Sequence, residues 1–99
     1  MRYTISMIKD FKCKETRKIW QGDFSTRLPR DIQQISRRKL RMLNNAKSVN
    51  DLKIPPSNHF EFLKGNRKGQ CSIRINKQWK ICFQWDNGIA SCVELVDYH

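Results

Sequence analysis

No apolar run in this chain approaches the roughly 20 residues needed to span a bilayer. The N-terminus, MRYTISMIKDF, also lacks the apolar stretch of a secretory signal. The chain therefore reads as soluble and cytoplasmic. Close cysteine pairs are missing too: the cysteines stand at 13, 71, 82 and 92, with no C-x-x-C among them. Zinc sites are usually built from such pairs, and a disulfide framework needs an oxidising compartment. Three of these thiols fall inside apolar runs and read as small core residues. The sequence calls for no metal and no cofactor. Repeats, low-complexity tracts and long linkers are absent as well, so 99 residues make one small domain with one core. Negative charge is scarce, with Asp+Glu 9 against Lys+Arg 20 and a net charge of +11. Such a surface attracts a polyanion, whether RNA, DNA, an acidic protein or an anionic membrane. With no spanning segment, a membrane is not expected among the partners.

What is present divides into a helical half and a strand half. Met7, Ile8 and Phe11 alternate with Lys9, Asp10 and Lys12 and read as a short first strand. KETRKIW forms a two-turn helix with Thr16, Ile19 and Trp20 on its inner side, ended by Gly22. Leu28, Ile32, Ile35, Met42, Leu43 and Ala46 share one face of a longer helix, and Pro29 suits its first turn. Position 39 should be apolar but is Lys39, whose stem can lie along apolar surface. The opposite face carries Arg30, Arg37, Arg38 and Arg41, either a solvated face or a polyanion contact. One more turn follows at residues 48–52, before Pro55-Pro56 forbids helix.

Period two then takes over. His59 to Leu63 is a strand candidate, followed by a cationic turn from Lys64 to Gly69. Cys71, Ile73 and Ile75 alternate with Ser72, Arg74 and Asn76. After an Asn76-Lys77 turn, Trp79, Ile81, Phe83 and Trp85 alternate with Lys80, Cys82 and Gln84. Asp86-Asn87-Gly88 signals a hairpin, and Ile89 to Val96 returns as a strand, completing a meander. One face of the sheet is apolar and takes the helices, while the other shows Arg74 and Lys80. The expected class is α+β, in the order β-α-α-β-β-β with room for one more strand. The chain ends VDYH, and in a meander the end of the last strand can lie beside the start of an earlier one.

Laid out this way, the chain resembles the HigB toxins, the host-inhibition or plasmid-killer branch of the RelE/ParE superfamily. The resemblance is carried by Leu63-Lys64-Gly65-Asn66-Arg67, Ser72-Ile73-Arg74-Ile75-Asn76, Trp79-Lys80-Ile81-Cys82-Phe83 and the terminal Asp97-Tyr98-His99, in order and at family spacing. LRMLNNAKSVNDLKIPP is similar to the end of the family's second helix and its Pro-containing loop. The match runs from Met7 to His99, which makes 1–6 an N-terminal extension and 7–99 the toxin domain. The resemblance implies a RelE-like fold, with two N-terminal helices packed on a small, twisted, mainly antiparallel sheet. It also implies a type II toxin–antitoxin system in which the toxin is an mRNA interferase. Such a toxin cuts message in the ribosomal A site, contacts 16S and 23S rRNA, and is neutralised by a HigA-like helix-turn-helix antitoxin.

Metal-independent RNA cleavage uses the neighbouring 2′-OH as nucleophile. A base takes its proton, an acid protonates the departing 5′-oxygen, and cations hold the crowded phosphorane. On this reading His99 is an acid or base, Asp97 orients it or acts as base, and Tyr98 stacks on a base or donates a hydrogen bond. Arg74, Lys80, Lys64 and Arg67 hold phosphates. Lys68 and the helix arginines 30, 37, 38 and 41 extend the RNA and ribosome contacts. Glu61 stands where some relatives carry a His and is a candidate base. Cys71 stands where relatives often have an aromatic, and Lys80 where Arg is found, keeping the charge but losing the two-pronged grip. His59 reads as a surface side chain, and Trp79 and Trp85 as core. Two other readings stay open: a ParE-like inhibitor of DNA gyrase, and a non-catalytic basic module that grips nucleic acid. One fold hosts all three. The acid, phenol and imidazole of the tail favour the ribonuclease.

Overall fold

The computed structural model describes residues 8–97. The expected extension 1–6 lies outside the described residues, as do Met7 of the expected first strand and Tyr98 and His99 of the tail.

Helix α1 spans Lys14–Trp20 and turns Thr16 and Ile19 into the interior. Gly22 ends it as expected: at φ +93 the backbone turns left-handed, and the amides of Gly22 and Asp23 reach back to the carbonyls of Ile19 and Lys18 at 3.1 and 2.8 Å. These two bonds satisfy carbonyls that the helix end would otherwise leave unpaired. Helix α2, Arg30–Asn45, starts after Pro29. Its buried arc is wider than the expected stripe. Ile32, Ser36, Leu40 and Leu43 form its centre, while Ile35 and Met42 lie half-buried at the margins. The helix packs on α1 and β4 together, so more of its circumference is covered. A third turn of helix, α3, covers Val49–Leu52. Among the described residues, no helix is long and apolar enough to cross a membrane.

The strands are β1 Glu61–Phe62, β2 Gln70–Arg74, β3 Trp79–Asp86 and β4 Ile89–Asp97, antiparallel in the order β1-β2-β3-β4. Two turns set the register. Asn76 accepts the amides of Gln78 and Trp79 through Oδ1 at 2.8 Å each, closing the β2–β3 turn. Asn87 and Gly88, at φ 51 and 81, close the β3–β4 hairpin. Ile73, Ile81 and Phe83 are then fully buried on the helix side with Ile19, Ile32, Leu40 and Leu43. Each such side chain contributes about 1.5–3 kcal/mol.

Two strand expectations need correction. MIKDFKC does not form a regular strand over its described part. Ile8 and Phe11 make isolated parallel bridges to Ala90 and Val93. The cause is a bulge in β4. Between the pairs Cys82↔Glu94 and Gln84↔Ser91, β4 carries an extra residue, and Cys92 adopts φ 53. The inward positions on both segments therefore fall three apart rather than two. Asp10 fixes the bulge by accepting the Cys92 amide at 2.6 Å. The expected strand from His59 to Leu63 shrinks to Glu61–Phe62, because His59 is left-handed at φ 46 and caps a 3-10 turn at Pro56–Asn58.

Candidate active site

The face of the sheet turned away from the helices carries the candidate site. Cross-strand partners share a face, and two rungs matter. Glu61 pairs with Ser72, and Arg74 pairs with Lys80. With His59, these residues line a cleft of about 200 Å³. Arg74 donates through Nε to the Asn76 carbonyl at 3.0 Å, and its Nη1 lies 3.2 Å from His59 Nε2. Cations and a carboxylate thus meet at one end of the sheet, where an anion would find two positive charges on neighbouring strands.

His59 reaches the cleft because its backbone is fixed from below. Asn58 is wholly buried. Its Nδ2 donates to the Leu52 carbonyl at 3.0 Å and lies 3.1 Å from Met42 Sδ, while its Oδ1 accepts from Lys39 Nζ. Lys39 is therefore not merely a stem lying along the surface; its ammonium is inside. Burial pushes its pKa down, and the neighbouring Arg38 charge adds to this. Pattern reading passed over His59 and Ser72. A His at the start of a strand candidate reads as surface, and its left-handed turn back toward Arg74 has no period to reveal it.

The other expected site residues are dispersed. Lys64 is exposed at the start of the 3-10 turn Gly65–Arg67 and does not line the cleft. Lys68 is exposed just beyond it. Arg67 is held over the sheet by Glu94 Oε2 and Gln70 Oε1, both at 2.9 Å, and Lys12 lies 3.8 Å from the same Glu94 oxygen. The hydrogen bond that Arg67 donates to Glu94 raises the Arg67 pKa. The partner of Glu94 on β3 is Cys82, whose thiol is pushed up chiefly by burial. Asp97 is the Cα partner of Trp79, beside the Lys80↔Val96 pair, and accepts from Gln78 Nε2 at 2.9 Å. Thus β4 does end beside the start of β3, but the pleat puts Asp97 on the Trp79 face rather than the Lys80 face. Tyr98 and His99 lie outside the described residues. Trp79 and Trp85 pack, half-buried, against the core as expected.

The helix arginines form a separate surface. Arg37, Arg38 and Arg41 line a groove with Asp31, Gln34 and Ile35. Arg37 is also structural: its Nε donates to the Ile19 carbonyl at 2.9 Å and clips α2 onto the end of α1. Arg30 stacks over the Phe24 ring at 5.0 Å.

Helices on one side of a small antiparallel sheet and a cationic cleft on the other are the architecture of a RelE-like toxin. The chain belongs to the HigB-like toxin family, whose model, described as "RelE-like toxin of type II toxin-antitoxin system HigB", matches residues 9–99. It is 46% identical over 85 residues to "Toxin HigB-1" of Vibrio cholerae, covering 85% of this chain and 90% of that one. It is 32% identical over 99 residues to "Endoribonuclease HigB" of Proteus vulgaris, covering 94% and 100%. A Haemophilus influenzae protein named only "Uncharacterized protein" is 36% identical over 66 residues, covering 67% and 65%. As a type II toxin, the chain pairs with an antitoxin.

Proposed function

We propose that the chain is a ribosome-dependent endoribonuclease that cuts translated mRNA at the cleft beneath Arg74 and Lys80, and that a HigA-like helix-turn-helix antitoxin neutralises it. The observation that carries this reading is the Arg74–Lys80 rung, with Glu61 and His59 around it. The name of the Proteus vulgaris relative supports the chemistry. Arg74 and Lys80 hold the scissile phosphate and the charge that builds on it. Proton transfer belongs to the cleft around Glu61 and to the end of β4 with the residues after it, where Asp97 orients, Tyr98 stacks or donates, and His99 acts as the acid. Lys64, Arg67 and Lys68 on the adjoining turn, and Arg30, Arg37, Arg38 and Arg41 on α2, meet rRNA and message backbone. Translating ribosomes supply the positioning that so small a protein lacks, which places its action in the cytoplasm. Residues 7–99 form the toxin domain, and 1–6 precede it as an extension.

The test is cleavage by the purified chain of a message on purified ribosomes, alongside a gyrase supercoiling assay. The reading expects cuts in the message only when ribosomes translate it, and unimpaired gyrase. Poisoned gyrase with intact message would move the chain to the other branch of the superfamily.

A further inference from the structure

We propose that His59 is the base that takes the 2′-hydroxyl proton, and that Arg74 masks it until a phosphate arrives. This rests on reading the cleft as the RNA-cleavage site.

A guanidinium has donors only. With Arg74 Nη1 at 3.2 Å, His59 Nε2 is the acceptor in that contact, which places the ring proton on Nδ1. An imidazole lone pair aimed into a cleft is a proton acceptor in waiting, and imidazole is the side chain most often used for this task. Its place is built rather than incidental. The His59 amide donates to the Pro56 carbonyl at 3.0 Å, and the residue before it, Asn58, is locked to α2 and α3 through Lys39 and the Leu52 carbonyl. A histidine on a free loop would have neither support.

The masking contact and the substrate compete for the same group. Phosphate oxygens draw the Arg74 guanidinium into charge-assisted bonds stronger than one to a neutral ring. Once Arg74 turns to the phosphate, Nε2 loses its donor and can accept the proton of the 2′-OH. The 2′-O–P bond forms, the P–O5′ bond breaks, and the departing 5′-oxygen takes a proton from the acid, His99 in the reading above. The products are a 2′,3′-cyclic phosphate and a 5′-hydroxyl, and the imidazolium returns its proton to water. The base thus becomes available only when the phosphate has engaged the cation beside it. Glu61, on the neighbouring rung, is then not the proton acceptor.

The experiment is single-turnover cleavage of a message on translating ribosomes by the full chain and by His59→Asn, His59→Gln and Glu61→Gln, across a pH series. Asn tolerates the left-handed backbone of position 59, so His59→Asn keeps the turn while removing the base, and melting curves check the fold. The expected result is a loss of about 100- to 10,000-fold in both His59 variants, a smaller loss in Glu61→Gln, and a pH–rate profile whose shape changes in the His59 variants but not in Glu61→Gln. His59 variants that cut within about threefold of the parent chain, against the minimum of roughly 100-fold for a lost base, would overturn the proposal alone. So would a larger loss in Glu61→Gln. A parent chain that cuts nothing would overturn the reading of the cleft and this proposal with it.

Discussion

Asn58 and Lys39 are 19 residues apart in the chain, and together they set the position of His59. A buried ammonium with its acceptor removed is expensive. Asn58→Ala should therefore cost about 3 kcal/mol in urea unfolding, and Lys39→Met distinctly less, because it removes the charge along with the partner. The opposite order would mean that Asn58 serves only the backbone. Titration gives Lys39 a second signature. Its folded pKa is pushed below the ordinary 10.5, so the unfolded chain holds this proton to higher pH. Stability from this group should rise as pH climbs toward 10.5, and Lys39→Met should remove that rise. Glu15 works in the other direction. The hydrogen bond from Ser25 leads in lowering its pKa from 4.5, with Lys18 and Arg27 adding to it. Its stabilisation is complete above that value and is lost as pH falls through the lowered folded value. Glu15→Gln should flatten the acid limb of the stability curve. Neither contact was legible in the sequence, because a polar pair buried between distant segments leaves no periodic trace. Lys39 itself was visible, as the one long cation on an apolar stripe.

At the level of elements, the period-two reading located β2, β3 and β4 and their turns closely, since each has one buried face. It failed where two segments abandon that period together. Ile8 and Phe11 face Ala90 and Val93 across the β4 bulge, and the left-handed Cys92 that makes this fit is not a residue that announces such a turn. Cys92→Gly should be tolerated there, while Cys92→Val should cost about 1–2 kcal/mol; equal melting temperatures for the two would deny that the bulge is strained. Helix α2 was found from its apolar face, and its arginines from the opposite face. Their division of labour was not legible, because Arg37 spends its guanidinium on the end of α1. Arg38 and Arg41 remain exposed beside it. If they meet rRNA phosphates, Arg38→Ala/Arg41→Ala should weaken ribosome binding and lower its salt slope by about one per lost contact. An unchanged slope would return that face to solvent.

Across the described residues, the helices take one side of the sheet and leave the other open to the cleft. Part of the +11 net charge lies on an outer helix face and part in the cleft. The far-face position of Arg74 and Lys80 follows from strand alternation, and so was readable from the sequence. The convergence of Glu61 with them depends on β1 pairing with β2, and that of His59 on a turn that only the fold reveals. Lys64 and Arg67 belong to the same family motif, yet the 3-10 turn carries them out of the cleft lining. The central claim is that this cleft holds the phosphate that is cut. It is tested most directly by mapping message 5′ ends in cells expressing the chain or its Arg74→Ala/Lys80→Ala form, each checked for antitoxin binding. New ends inside translated frames should appear with the parent chain and vanish with the double variant while antitoxin binding persists. Ends that survive loss of both cations would place the chemistry elsewhere.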